Sequence, residues 1–282
     1  MNKNNKKAKI QKATTHTLFY VFTIVATLIS IAPTFVSVLL SLMREKDIPL
    51  LADGGLKNGI TFNNFIKVFS ESAIPQWFLN SMFVAVTQTV LYLLITSLAA
   101  FAFSRLRFKG RKVLFYICLS SMMVPGIINI VPNFLIITKL GLYNNLFAII
   151  LPGLSGVYGV FMLRQFMLGI PFDYDDAARI DGCSNLQIYF RVILPMCAPA
   201  LAALAVFTFQ GAWNDFLWPL IVTSEESTMT LSSGFYVFLQ SNAQYPGLLM
   251  ASAIVAALPI VIVFIFGQKY FLQGISTGGI KG

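Results

Sequence analysis

Apolar residues gather into six long runs, at roughly 17–43, 77–104, 113–137, 146–168, 199–222 and 247–271, with short polar stretches between them. Runs of about 18 or more apolar residues read as membrane-crossing helices. Lipid supplies no hydrogen-bond partners, so each run must satisfy its own backbone as a helix. The third run is the least regular, because Pro125, Gly126 and Pro132 interrupt it. The pattern predicts an all-α polytopic membrane protein of about six transmembrane helices. Residues 17–271 form the membrane domain, and 1–16 and 272–282 are tails. An even number of crossings puts both tails on one side.

The connection between the fourth and fifth runs, 171–195, has its own pattern. Residues 173–195 read DYDDAARIDGCSNLQIYFRVILP. Pro171 breaks the preceding helix, and Asp173 is expected to cap a new one, with Asp175 and Asp176 in the first turn where carboxylates suit the helix dipole. Tyr174, Ala177, Ala178 and Asp181 follow i, i+3, i+4, i+7 spacing and share a face that the two alanines keep thin. Gly182 is placed to end the helix in the left-handed conformation. Ser184 and Gln187 have the spacing of a capping box for a second helix. That helix carries an apolar stripe of Leu186, Tyr189, Phe190 and Ile193, and Pro195 is expected to stop it. A short capped hairpin with one polar face is suited to docking a soluble partner.

Composition agrees with the membrane reading: 57% of the residues are hydrophobic and 11% charged, against about 25% charged in soluble domains. The 20 lysines and arginines fix the orientation. With the amino terminus inside, the inner segments hold the amino-terminal lysines, the loop 105–112, Arg164, Arg179, Arg191, Lys269 and Lys281. The outer segments hold only Arg44, Lys46, Lys57, Lys67 and Lys139. This is the positive-inside distribution, with both termini cytoplasmic. The formal charge of +9 then belongs to a rim facing membrane lipid, and no basic groove with interleaved aromatics suggests nucleic acid. The first apolar run is longer than the ~7–15 residues of a signal-peptide core and reads as a retained anchor. Cys118, Cys183 and Cys197 form no C-x-x-C pair, and His16 is the only histidine, so no metal site is expected.

The chain contains no G-x-x-x-x-G-K-[ST] loop, no H-E-x-x-H and no G-x-S-x-G, so it has no visible means of hydrolysing a nucleotide and is not read as an enzyme. Active transport would need an ion gradient or a partner subunit. Within the runs, Gln210 and Asn214 share a helix face beside Asp215, and Asn80, Thr87 and Gln88 give a weaker polar set in the second run. Such groups face a bundle interior, water or another helix, so Gln210, Asn214, Asp215 and Asn80 are the candidates for lining a translocation path. Trp77, Trp213 and Trp218 are read as interface or packing residues. The loops 44–76, with Asp53-Gly54-Gly55, and 138–145 and 223–246 fall on the outer side.

The pattern Asp176-Ala177-Ala178, three residues, Gly182, nine residues, Val192-Ile193-Leu194-Pro195 resembles the E-A-A…G…I-x-L-P motif of permease subunits of ABC binding-protein-dependent importers. The spacing matches throughout, with Asp for Glu and Val for Ile. Asn80-Ser81, the stretch 99–111, Met123-Val124-Pro125, Gly141-Leu142, Leu151-Pro152, Trp213-Asn214-Asp215-Phe216 and the tail 277–282 are similar to the carbohydrate branch, second permease, of maltose, glycerol-phosphate and multiple-sugar type. The resemblance implies an importer-permease fold in a bacterial-type cytoplasmic membrane. It implies pairing with a different, second permease, two ATPase subunits that bind ATP-Mg and dock on the inner hairpins, and an extracytoplasmic sugar-binding protein. This chain itself would bind no cofactor. Asp176, Ala177, Ala178, Asp181, Gly182, Leu194 and Pro195 are then the expected ATPase-coupling residues, and the cargo is expected to be an oligosaccharide. The alternative is an ion-coupled secondary transporter acting without an ATPase. Inverted repeats are common in that class, and none is found here.

Overall fold

The computed structural model describes residues 3–53 and 59–278, with side chains over 15–49 and 59–267. Gly54, Gly55, Lys57 and residues 279–282 of the tail motif lie outside the described residues, and so do the side chains of Asp53, Lys269 and the amino-terminal lysines. In chain order the helices are α1 (Lys3–Ser41), α2 (Asn63–Ser70), α3 (Ile74–Arg105), α4 (Arg111–Ser121), α5 (Ile130–Lys139), α6 (Leu146–Ile150), α7 (Val157–Leu168), α8 (Asp173–Ile180), α9 (Asn185–Ile188), α10 (Leu194–Met196), α11 (Ala198–Asn214), α12 (Leu217–Val222), α13 (Leu231–Ser241) and α14 (Pro246–Gly278). No strand occurs among the described residues.

Among the described residues, three helices are long and apolar enough to cross a membrane alone: Thr15–Ser41 of α1, α3, and Pro246–Gly267 of α14. Three further pairs of helices reach that length and apolarity together but are bent at a short break: Arg111–Ser121 with Gly126–Lys139 (91°), Leu146–Leu154 with Val157–Leu168 (45°), and Asn185–Met196 with Ala198–Asn214 (78°). Counting each bent pair as one crossing gives the six expected. The 91° bend falls at Pro125, whose extended backbone (ψ 128°) ends the helical ladder, as the interrupted third run suggests.

The fifth span departs from expectation. The predicted helix over 199–222 stops at Asn214, and Asp215 is extended (ψ 124°) before the separate α12. Pro219 explains the break: in a continuous helix its ring would strike the carbonyl four residues back, at Asp215. The helix ladder also reaches beyond the apolar runs at both termini, from Lys3 and to Gly278, into segments expected as tails.

The packing divides into two compact units, Met1–Ser72 with Leu239–Val255, and Ala73–Phe238 with Ala256–Gly278 and the tail beyond it. In the first unit, the Asn64 amide donates to the carbonyls of Ser41 (2.9 Å) and Met43 (2.8 Å). The Glu45 carboxylate accepts from the N–H groups of Gly247 (3.2 Å) and Leu248 (2.8 Å), a favourable charge at the start of α14. Thr23, Thr27, Ser30 and Ser37 in α1 bond back to carbonyls four residues earlier. Those bonds let hydroxyls sit on an apolar helix with no side-chain partner elsewhere.

The second unit is built on α3, against which α7 and α11 pack. Its core joins Tyr92, Ala100 and Phe101 of α3 to Leu163 and Met167 of α7, Ala178 of α8, Ile188, Tyr189, Ile193 and Cys197 of the hairpin, and Ala200 and Leu204 of α11. At the Ile74 end of α3, the Trp77 indole N–H donates to the Glu226 carbonyl (2.9 Å) and Asn80 donates to Ser227 (2.9 Å) and Met229 (2.8 Å). Asn144 holds the same segment from the loop 138–145. In the left-handed conformation (φ 61°), it accepts at Oδ1 from Ser224 N–H (2.9 Å), Glu225 N–H (3.1 Å) and Thr228 Oγ1 (2.7 Å). All three tryptophans are packing residues: Trp213 donates to the Ala256 carbonyl (3.1 Å) and Trp218 to that of Ala148 (2.9 Å).

Candidate functional site

The hairpin forms where the sequence placed it, and its turn chemistry is as read. Gly182 is left-handed (φ 79°). Its N–H donates to Arg179 O (3.0 Å), and Cys183 N–H donates to Ala178 O (2.9 Å), the paired bonds of a Schellman ending. Ser184 and Gln187 form both bonds of the capping box, at 3.4 Å and 2.7 Å.

Three details differ. Asp173 does not cap α8. Phe172 occupies that position with helical angles and no side-chain bond, and its carbonyl already accepts from Asp175 and Asp176 N–H, so the helix starts one residue early. The face assignment of α8 also shifts: Ala178 is buried in the core, while Tyr174, Asp176, Ala177 and Asp181 are exposed. Ile180 shares that outward face and is 87% exposed. In the second helix, Leu186 and Phe190 are exposed, and the buried stripe is Ile188, Tyr189 and Ile193. A π-turn over Tyr189–Ile193 causes the change of register, because its wider ladder inserts a residue into the 3.6-residue repeat. That turn also lets the helix run past Pro195 to Met196, and the chain bends at Cys197 instead. Leu194 is half-buried and Pro195 exposed.

Behind the exposed face lies a group that the sequence pattern did not reveal. Asp175 is 1% exposed and meets the buried Arg105, the last residue of α3, at 3.3 Å. Arg105 also donates through Nη2 to the carbonyls of Met167 (2.7 Å) and Ile170 (2.9 Å) at the carboxyl end of α7. Its guanidinium lies 4.3 Å from the centre of the Phe172 ring. One arginine therefore ties α3, α7 and α8 together. Burial pushes the Asp175 carboxyl above the ordinary aspartate range, and the Arg105 charge opposes that shift without cancelling it. Neither Asp175 oxygen has a hydrogen-bond partner, so the Arg105 ion pair is their main compensation, with the Arg179 charge adding to it. By contrast, Asp176 faces Arg179 at 3.2 Å on the surface, where such pairs contribute ~0–1 kcal/mol. Nothing in the spacing marked Arg105 and Asp175 as partners, because 70 residues separate them. The available signal was an arginine closing a membrane helix on the same side as an acidic first turn.

The polar residues of the spans separate into two groups. Gln210 and Asn214 lie together on an exposed face of α11, with Gly211 between them. Asp215 is half-buried in the break after that helix, where the backbone N–H groups of Phe216 and Trp218 face its carboxylate. Asn80 is buried, and its amide is committed to the segment after α12. Gln88 packs over Gly153. Among the described residues no three His, Cys, Asp or Glu side chains gather closely enough to hold a metal ion.

The chain matches the family model described as binding-protein-dependent transport system inner membrane component, over residues 93–277. It is 39% identical, over 79% of its own length and 80% of the relative's, to the arabinooligosaccharides transport system permease protein AraQ of Halalkalibacterium halodurans. It is 33% identical to the inner membrane ABC transporter permease protein YcjP of Escherichia coli, covering 90% of this chain and 92% of that one. The trehalose/maltose transport system permease protein MalG of Thermococcus litoralis is 33% identical over 79% of this chain and 82% of its own. Among solved structures, a chain of a bacterial ABC transporter involved in the import of the acidic polysaccharide alginate shares the fold. Its TM-score is 0.75 at 22% identity, covering 96% of this chain and 99% of that one.

Proposed function

Given that the chain belongs to the family of binding-protein-dependent transport system inner membrane components, we propose that it is one permease subunit of an ATP-driven importer of oligosaccharides. In this reading both termini and the hairpin are cytoplasmic, which the distribution of basic residues supports. A different, second permease completes the path, two ATPase subunits bind ATP-Mg and dock on the hairpins, and an extracytoplasmic binding protein delivers the sugar.

The exposed face of α8 carries this reading. A short helix capped at its Gly182 end presents Tyr174, Asp176, Ala177, Ile180 and Asp181 to its surroundings, while its back is fixed to the core through Ala178 and Asp175. An isoleucine 87% exposed on an otherwise polar helix is an anchor waiting for an apolar pocket. With no phosphate-binding loop of its own, the chain takes its energy through that contact. Closure of the ATPases on ATP displaces the hairpin, the two permeases exchange inward- and outward-facing states, and hydrolysis resets them. This is a two-state equilibrium biased at a distant site. Gln210, Asn214 and Asp215 offer hydroxyl-binding amide and carboxylate groups where α11 is open on this chain, and they line the path against the second permease.

Oligosaccharide cargo is supported by relatives named for arabinooligosaccharides and for trehalose or maltose. The experiment is ATP hydrolysis by the purified complex, with its binding protein, against a panel of oligosaccharides, monosaccharides and polyols. Stimulation by an oligosaccharide is expected. Stimulation by polyols or monosaccharides alone would overturn the cargo assignment.

A further inference from the structure

The chain connects the hairpin to α7 on one side and to α11 on the other, yet its two buried side-chain locks both close on α3. Asp175 of α8 meets Arg105 at 3.3 Å with both side chains out of solvent. Tyr189, in the π-turn, shares a 2.7 Å hydrogen bond with Ser97, about two turns back along α3. Between these points the Tyr189 ring packs edge-on against Phe101, 5.3 Å between centres.

The opposite end of α3 is locked as firmly to the segment 226–231. Trp77 donates to Glu226 O (2.9 Å), Asn80 to Ser227 O (2.9 Å) and Met229 O (2.8 Å), and Leu231 N–H donates to Ser81 Oγ (2.7 Å). Between the two ends runs an uninterrupted helix of 32 residues, about 48 Å long, whose only proline stands in its first turn. Resting on the coupling role proposed above, we infer that α3 is the rod that carries the hairpin's displacement to 226–231 on the far side of the membrane, and that Arg105 is the positioning residue at its driven end.

The physical case lies in the stiffness of the two joints. Separating a buried ion pair leaves an uncompensated charge in a low-dielectric interior, which is far costlier than opening an exposed pair. The Arg105–Asp175 contact therefore stays closed when the hairpin moves, and the load passes into α3. Arg105 also holds the carbonyls that end α7, so α7 follows the same motion. At the far end the four bonds to 226–231 leave that segment no independent freedom. Coupling between distant sites is carried by rigid elements of this kind when both ends are tied.

The test uses the complete complex (this chain, its partner permease and the ATPases) in lipid nanodiscs, with hydrogen–deuterium exchange read with and without ATP. In the unaltered complex, ATP is expected to change exchange both in the hairpin 173–183 and in 226–231. In the double variant Arg105→Gln with Asp175→Asn, which removes both charges and keeps polar side chains at both positions, the hairpin still responds. The response at 226–231 falls about fivefold or more, and the ATP consumed per sugar imported rises correspondingly. A response at 226–231 as large as in the unaltered complex would overturn the inference. If the double variant does not assemble, Asn80→Ala supplies the test, since it loosens the far end and leaves the hairpin and Arg105 untouched. It too should uncouple 226–231 from a responding hairpin, and full retention of the response there would overturn the inference. Failure of the hairpin itself to respond in the unaltered complex would sink the coupling role, a result distinct from either of these.

Discussion

Gly182 offers the sharpest test of the hairpin. Its φ of 79° lies in the left-handed region, and a Cβ built there would meet nothing within 4 Å. No steric clash therefore adds to the cost of substitution, and the penalty is the backbone strain alone, roughly 1–2 kcal/mol for an ordinary L-residue. It is smaller for Asn, which tolerates this conformation at helix ends, and larger for a β-branched side chain. A substituted chain relieves the strain by unwinding the Schellman turn, losing the Gly182–Arg179 and Cys183–Ala178 bonds, and ATPase docking must then restore it. The affinity of the ATPase for the permease pair, measured by titration in nanodiscs, should fall in the order Gly, Asn, Ala, Val. Ala is expected about 5–30-fold weaker than Gly. Because the position is exposed, thermal unfolding of the spans should not change. Equal affinity for Gly and Ala, or an Asn variant as weak as Val, would refute the reasoning.

Ile180→Ala removes the exposed apolar anchor of α8 and is expected to weaken ATPase binding about tenfold, some 1.4 kcal/mol, with no change in the isolated permease's melting temperature. Gln210→Leu combined with Asn214→Leu should leave assembly and ATP hydrolysis intact and cut sugar uptake about tenfold; undiminished uptake in proteoliposomes would remove these residues from the path. Gly234→Ala drives a methyl into the buried Trp77 ring and should destabilise the chain by about 1–3 kcal/mol, read as a lowered thermal midpoint. Tyr189→Phe deletes only the bond to Ser97, whose hydroxyl keeps its bond to the Leu93 carbonyl, so a loss of about 1 kcal/mol is expected.

What could be read from the sequence follows the range of each physical signal. Span positions depend on local hydrophobicity, and apolar helices or bent helix pairs occur at the six runs, with the fifth displaced from its expected bounds. Gly182, Ser184 and Gln187 act within a few residues, so their turn and cap were legible in full. The errors arise where a local rule met a longer-range demand. Pro219 ended the fifth span at Asp215, although the hydrophobicity continues to Val222. The π-turn at Tyr189–Ile193 moved the buried stripe from Leu186 and Phe190 to Ile188, because a repeat counted at 3.6 residues cannot register an inserted one. Asn80 has the composition of a path-lining residue, but its carbonyl partners lie about 150 residues away, after α12. Arg105 and Asp175 were invisible as a pair for the same reason, and α3 emerges as the centre of the unit only once both its ends are seen tied.

The most direct test of energy supply through the hairpin is uptake of labelled oligosaccharide by proteoliposomes holding this chain and its partner permease, with the binding protein outside, measured with and without the ATPase subunits. An ATP-driven importer takes up sugar only when the ATPases and internal ATP are both present, and imposed ion gradients alone give none. Uptake driven by an ion gradient in the absence of the ATPases would contradict it.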